Sequence, residues 1–498
     1  MNSKQINYLI VFIISLFITC AACADKPVDY EPTWNSLSGY NVPEWFKDAK
    51  FGIYTHWGPY SVPGCGPNGC WYPHNMYREG TEQYEYHVKH YGGPEKFGYK
   101  DFIPMFTAEK FDADEWAELF KKAGAKFAGP VAEHHDGFAM WDSKYSEWDA
   151  MDKGPKRDIV GELEKAVKKR GMRYITTFHN MFNWEYYPVW DKRFDCSDPQ
   201  YSDLYGQIHE RRARRSIAFF DEWSWKVKEV IDKYEPDVIW FDWDLRDIRE
   251  DYVQDFLAYY YNSAEKLGKE VVVLPKGRSH SVPPVTAVPD LEVERMSALT
   301  FHVWITDSGV GDPVTWSWVR NQPFKSVNRL VDNLVDRVSK NGLLLLNIGP
   351  KPDGSMPEGG KECLLGIGKW LQVNGEAIYG TRPWKYSGGG PDESAEEEIY
   401  GEGDEEPGYG AEDIRLTVKD DAMYAISLGW PGEECTIKIL NWMYKEEFKS
   451  IKMLGVDGEL EWSFNRKDGL TIKAPDKKPC EHAFVFKITR NFNVNQPK

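Results

Sequence analysis

From Phe51 to Gly380, apolar runs alternate with amphipathic stretches. Phe51–Trp57 (FGIYTHW), Lys126–His134 (KFAGPVAEH), Met172–Asn180 (MRYITTFHN), Val238–Asp242 (VIWFD), Glu270–Pro275 and Leu343–Gly349 (LLLLNIG) read as strands. Asp112–Gly124, Asp158–Gly171, Ser216–Tyr234, Tyr252–Gly268 and Ser326–Gly342 carry helical spacing between them. Asp112 stands as an N-cap and Gly124 as a stop. Strands apolar on both faces, each followed by a helix, predict a parallel sheet covered by helices. About seven such units fit a (β/α)8-like barrel better than a doubly wound sheet. No Gly-rich phosphate loop follows the first strand, so nucleotide binding has no support.

After Gly380 the texture changes. Gly388–Asp413 is rich in glycine and acidic residues and shows no helical period. Ile414–Arg490 then carries short alternating stretches (RLTVKD, AMYAISL, CTIKIL, SIKML, LTIKAP, AFVFKIT). These predict an antiparallel β-sandwich. The expected division is a signal peptide over 1–24, a catalytic barrel over 25–384, an acidic linker over 385–413 and a sandwich over 414–498.

Composition narrows the class. Of 498 residues, 61 are Lys or Arg and 78 Asp or Glu, giving a formal net charge of −17. A phosphate-backbone binder needs a basic face, so nucleic acid is not an expected partner. The chain has 21 Trp and 28 Tyr. Such rings either fill a core or stack on the apolar faces of sugars, and composition alone leaves both open. At the N-terminus, Lys4 precedes an apolar run, Ile6–Ile18, and Ala22-Cys23-Ala24 fits a cleavage site. The run is too short for a membrane span. Simple export is the preferred reading, although Cys20 or Cys23 also permits a lipidated N-terminus. The expected location is therefore periplasmic, secreted or at the cell surface. Export makes disulfides chemically admissible. Cys65 and Cys70 flank a turn and could close a small ring, and Cys435 and Cys480 could pair. No cysteine spacing resembles a zinc site.

In a barrel of this kind, catalytic groups stand at the C-terminal ends of the strands. Here those ends carry His56, then Glu133-His134-His135-Asp136, then His179-Asn180, then Asp242 and Asp244, then Arg278. Two chemistries compete. In the first, His56, His134, His135 and Asp242 hold a divalent ion. Neighbours on a strand face opposite ways, so His134 and His135 cannot both chelate without a bulge or turn. In the second, imidazoles and Arg hold sugar hydroxyls, Trp stacks on the ring, and two carboxyl groups cleave a glycosidic bond. The tryptophans near the strand ends favour the second.

Five segments then carry a resemblance, in order and over most of the chain. They are FGIYTHWGPYSVP (51–63), EHHDGFAMWDSKYSEWD (133–149), PDVIWFD (236–242), LVDRVSKNGLLLLNIGPKPDGSMP (334–357) and GEAIYGTRPW (375–384). Together they resemble the α-L-fucosidases of glycoside hydrolase family 29. The resemblance implies an exo-acting, retaining hydrolase of α-L-fucosides that needs no cofactor or metal. It places the nucleophile on Asp242, with Asp244 as rival. It places hydroxyl-binding roles on His56, His134, His135 and Arg278. Trp240 falls beside the nucleophile, and Trp71, Tyr72, His179 and Trp316 are the further candidates for the sugar site. The acid/base falls on Glu294, with Glu292 as rival. Two departures stand out. Cys70 precedes the Trp71-Tyr72 pair where the family commonly has Glu, and His179 stands where a Tyr is often found. They keep open an α-L-galactosidase, an enzyme of sulfated fucans (endo-acting in one form), or a homologue that binds sugar without cleaving it.

Overall fold

The computed structural model describes residues 29–243, 245–277, 282–391, 399–400 and 408–491. Residues 1–24, Asp244, Arg278 and much of 385–413 therefore lie outside the described residues.

Seven parallel strands form the barrel wall: β1 (Phe51–Thr55), β2 (Phe127–Glu133), β3 (Arg173–Phe178), β4 (Val238–Phe241), β5 (Val272–Pro275), β6 (Trp304–Gly309) and β7 (Gly342–Asn347). Their order is β5-β4-β3-β2-β1-β7-β6. The gap between β5 and β6 is closed by single parallel bridges, Lys276 to Asp290 and Asp290 to Ile305. Backbone bonds extend this closure, from Val288 N to Val273 O and from Val293 N to Asp307 O. Pro283, Pro284 and Pro289 crowd this eighth segment. Proline lacks a ladder donor, which is why the eighth unit stays irregular. The fold is thus a (β/α)8-like barrel followed by a β-sandwich, as the periodicity predicts.

Six helices flank the barrel strands: α1 (Ala113–Lys122), α2 (Ile159–Lys169), α3 (Ile217–Tyr234), α4 (Glu250–Lys266), α5 (Val327–Ser339) and α6 (Glu358–Asn374). Asp112 caps α1 by accepting from Glu115 N, and Asp158 caps α2 by accepting from Gly161 N. Strand β6 and helix α6 escape the sequence pattern. The polar residues Thr306, Asp307 and Ser308 interrupt β6 yet are buried. Helix α6 contains Gly359, Gly360, Gly366 and Gly368, each a poor helix former. Gly368 is there for packing, since a Cβ would lie 2.0 Å from the Lys122 carbonyl oxygen of α1.

The C-terminal sandwich pairs two antiparallel sheets. One runs β12-β15-β10-β9-β8 and the other β11-β14-β13. The strands are β8 (Arg382–Gly389), β9 (Ile414–Lys419), β10 (Ala422–Ser427), β11 (Glu434–Ile437), β12 (Phe448–Met453), β13 (Trp462–Asn465), β14 (Gly469–Lys473) and β15 (Phe484–Arg490). Leu416, Met423, Ile451, Ile472 and Phe486 fill its core. The described cysteines, Cys65, Cys70, Cys196, Cys363, Cys435 and Cys480, are all free thiols. The expected Cys65–Cys70 ring and Cys435–Cys480 pair are therefore not formed. Cys70 is buried and its thiol meets Asn68 Oδ1 at 3.1 Å, while Cys480 Sγ lies 3.0 Å from His482 O.

A buried ion pair ties the sandwich to the barrel. Arg415 of β9 donates to Asp336 of α5 at 2.7 Å, and Lys340 joins at 2.9 Å. Burial pushes the Asp336 carboxyl up, but Lys340 and Arg415 outweigh it and hold it below the usual carboxylate range. Removing one member strands the others in a dry interior. Asp336→Ala is expected to lower unfolding free energy by about 3–5 kcal/mol. Denaturant unfolding checks this, and a loss below about 1 kcal/mol would show that the pair does not brace the two units.

Candidate active site

Each side chain of the site comes from a strand end. His56 follows β1, and both its backbone N–H and its Nδ1 meet Asn347 Oδ1, at 3.0 and 2.9 Å. Asn347 ends β7 and in turn donates to the Trp316 carbonyl at 2.5 Å. Strand β2 shifts register against β3 between Val131 and Glu133, then stops. His134 and His135 therefore leave extended geometry, and their rings meet at 4.5 Å instead of facing apart. Gly137, at φ +77°, turns the chain immediately after, where a Cβ would meet the Leu204 carbonyl oxygen at 2.1 Å. The His134 ring stacks on His179 at 4.6 Å, and His56 lies 4.7 Å from His179.

The four imidazoles are 1–3% exposed. Burial lowers His56 and His134 well below the ordinary imidazole range, and His179 to about 4. Neutral rings can both donate and accept. His134 Nδ1 and Trp240 Nε1 are buried without a hydrogen-bond partner among the described residues. Buried polar atoms are normally satisfied, so these two point to a ligand with hydroxyl groups.

Asp242 sits at the end of β4. Its Oδ2 meets His179 Nδ1 at 3.0 Å and His135 Nε2 at 3.1 Å. Its Oδ1 accepts from Lys276, the residue after β5. Burial pushes this carboxyl up, but Lys276 and the two imidazoles outweigh burial and hold it well below the usual range. The same ammonium meets Glu292 Oε1 at 2.6 Å. Burial, against the pull of Lys276, pushes Glu292 up to about 8, and repulsion from Asp307 and Asp242 adds to it. Beneath the site Tyr54 donates to Asp307 at 2.6 Å, and Asp307 N donates to Asp290 at 2.8 Å. Burial and charge thus favour the ionised form of Asp242 and the protonated form of Glu292, on a shared ammonium.

Local backbone strain aims these groups. Glu292 and Val293 lie at φ +31° and +57°, and Trp243 lies at +64°. Bulky residues seldom adopt this region, at a cost of about 1–3 kcal/mol each. Such strain clusters where tertiary structure over-determines a functional turn.

The remaining candidates divide. Trp316 packs 5.6 Å from His56, Trp71 5.6 Å from His135, and Trp240 5.1 Å from His179. Tyr72 is buried, and its hydroxyl pairs with His87 Nδ1 at 3.0 Å. Glu133 pairs with Lys226 of α3 at 2.9 Å, and Asp136 accepts from Tyr99 at 2.5 Å, so both brace the loop. Glu294 is half-buried, and its N–H donates to Leu291 O at 3.3 Å. Arg278 and Asp244 lie outside the described residues. Sequence reasoning passed over Lys276 and Asn347, although each is a polar residue closing an apolar strand. Two triads, His56–His134–His179 and His135–His179–Asp242, hold atoms able to ligate a metal within 4.8 Å of one another. Donors of this kind suit a first-row divalent ion as well as a sugar.

Comparison with known proteins gives the family. The α-L-fucosidase family model matches residues 17–376, and the α-L-fucosidase C-terminal domain model matches 410–489. The tissue α-L-fucosidase of Rattus norvegicus is 32% identical over 475 residues, 93% of this chain and 93% of the relative. The plasma α-L-fucosidase of Homo sapiens is 30% identical over 483 residues, 94% of each chain. Among solved structures, the α-fucosidase of Thermotoga maritima in complex with fucose has a TM-score of 0.74 at 34% identity. It covers 92% of this chain and 100% of its own.

Proposed function

The chain belongs to the α-L-fucosidase family, as a glycoside hydrolase, and from that premise we propose how its own residues carry out the cleavage. Asp242 is the nucleophile of a double displacement, and Glu292, the rival to Glu294 in the sequence reading, is the acid and base, because it is Glu292 that meets Lys276. The substrate is a terminal α-L-fucoside of a glycan or polysaccharide. The burial of all four imidazoles at the strand ends supports a single terminal sugar held among them.

One observation carries the mechanism: Lys276 touches both carboxyl groups. In the first step Asp242 attacks the anomeric carbon while Glu292 gives its proton to the leaving oxygen. Negative charge leaves Asp242, now an ester, and appears on Glu292. In the second step Glu292 takes a proton from water, whose oxygen displaces Asp242. Charge returns along the same path. An ammonium that contacts both ends stabilises the charge wherever it stands, with no reorganisation. A shared ammonium also keeps the two carboxyls within two ion-pair lengths. That is of the order of the roughly 5–5.5 Å separation of retaining enzymes. The imidazoles hold the sugar hydroxyls, and His134 Nδ1 and Trp240 Nε1 gain partners on binding.

The test is stereochemical. Proton NMR of the first turnovers of an aryl α-L-fucoside is expected to show α-L-fucose first, with β-L-fucose arising later by mutarotation. β-L-Fucose as the first product would overturn the double displacement. We also propose export, supported by the charged and apolar N-terminal pattern that ends at Ala24. None of the described helices is long and apolar enough to cross a membrane.

A further inference from the structure

The mechanism above uses the buried imidazoles and the carboxyl pair but leaves a second feature of the site unused. Three half-buried rings, Trp71, Phe182 and Trp243, run as a strip over His135. Trp71 and Phe182 are 5.7 Å apart, and Phe182 and Trp243 are 4.2 Å apart at 31°. His135 lies 5.6, 5.4 and 6.2 Å from the three in turn. Trp243 directly follows the nucleophile and holds its left-handed backbone. Its indole N–H donates to Asp247 at 2.9 Å, and Arg215 holds that same carboxylate oxygen at 3.1 Å. The ring is thus fixed at the site, not a loose surface tryptophan.

Depth decides what the strip can meet. The imidazoles that suit the cleaved sugar lie almost fully buried, while the three rings stay partly open to solvent. A leaving group must pass from the buried floor to solvent, and so must cross the rim. Aromatic faces there match the C–H face of a pyranose. We propose that Trp71, Phe182 and Trp243 form the leaving-group subsite, with Trp243 as its main determinant, and that it accepts a pyranose of the glycan carrying the fucose. This rests on the fucosidase reading and adds the substrate class on the far side of the cleaved bond.

The test compares two donors in the full chain. α-L-Fucosyl fluoride presents no sugar to this subsite, while an α-L-fucosyl-(1→2)-galactose disaccharide does. For Trp243→Ala and Phe182→Ala, the ratio of kcat/KM on the disaccharide to kcat/KM on the fluoride is expected to fall at least about tenfold, because binding remote from the bond is used in the transition state. Trp243→Phe, which keeps a ring, is expected to recover most of that ratio. A ratio within about twofold of wild type in both alanine variants would overturn the proposal, since the rings would then serve the fucosyl unit or the fold. Wild-type protein that turns over neither donor would instead overturn the catalytic reading and this one with it.

Discussion

Replacing Asp242 with asparagine is expected to lower kcat/KM for an aryl α-L-fucoside by at least about 10³-fold, as loss of a nucleophile does elsewhere. The side chain is almost isosteric, so the fold should persist. Near-unchanged far-ultraviolet circular dichroism would check that. What disappears is the ionised oxygen that Lys276, His135 and His179 hold ready. Lys276 then keeps Glu292 as its acidic partner, which draws that proton away and removes the acid as well. Asp242→Gly opens the same position to an external nucleophile. Azide should restore turnover in it and yield the β-configured fucosyl azide, because azide attacks from the side Asp242 vacates. Turnover within about tenfold of wild type in Asp242→Asn would move the nucleophile elsewhere, with Asp244 first in line.

The second large effect separates Glu292 from Glu294. Glu292→Gln is expected to cost about 10²–10⁴-fold on substrates with alcohol leaving groups, the usual worth of a general acid. The loss should be much smaller on a dinitrophenyl fucoside, which leaves without a proton. The pH profile gives an independent readout. The acid must carry its proton, so activity should fall as pH rises through about 8, where burial has pushed Glu292. The nucleophile must be ionised, and Asp242 stays so to well below the ordinary carboxylate range. The wild-type profile should therefore be flat through neutrality with its descent on the alkaline side, and Glu292→Gln should remove that descent. If Glu294→Gln shows these signatures and Glu292→Gln does not, Glu294 is the acid and base.

The two glutamates show where the chain ceases to be readable as a string. In an extended segment residues 292 and 294 share a face, so register cannot choose between them. The proposal of Glu292 rests on its contact with Lys276 and on two left-handed residues, Glu292 and Val293, held by a bond from Val293 N to β6. Lys276 is a similar case. It closes an apolar strand as Asp242 does, but its importance comes from two carboxyl groups contributed by residues far along the chain. The His134–His135 pair was legible as chemistry and not as geometry, because a register shift at the end of β2 brings both rings to one side.

What the sequence by itself determined is local. Continuous apolar strands and amphipathic helices set the barrel, short alternating strands set the sandwich, and polar residues closing apolar strands marked His56, His134, His135, His179 and Asp242. These signals depend on near neighbours in the chain, where backbone periodicity and burial act together. Only the tertiary structure decided the shared ammonium and the aromatic rim beside Trp243. Each of these is a meeting of residues distant in sequence, set by packing, desolvation and charge that no stretch of chain carries alone.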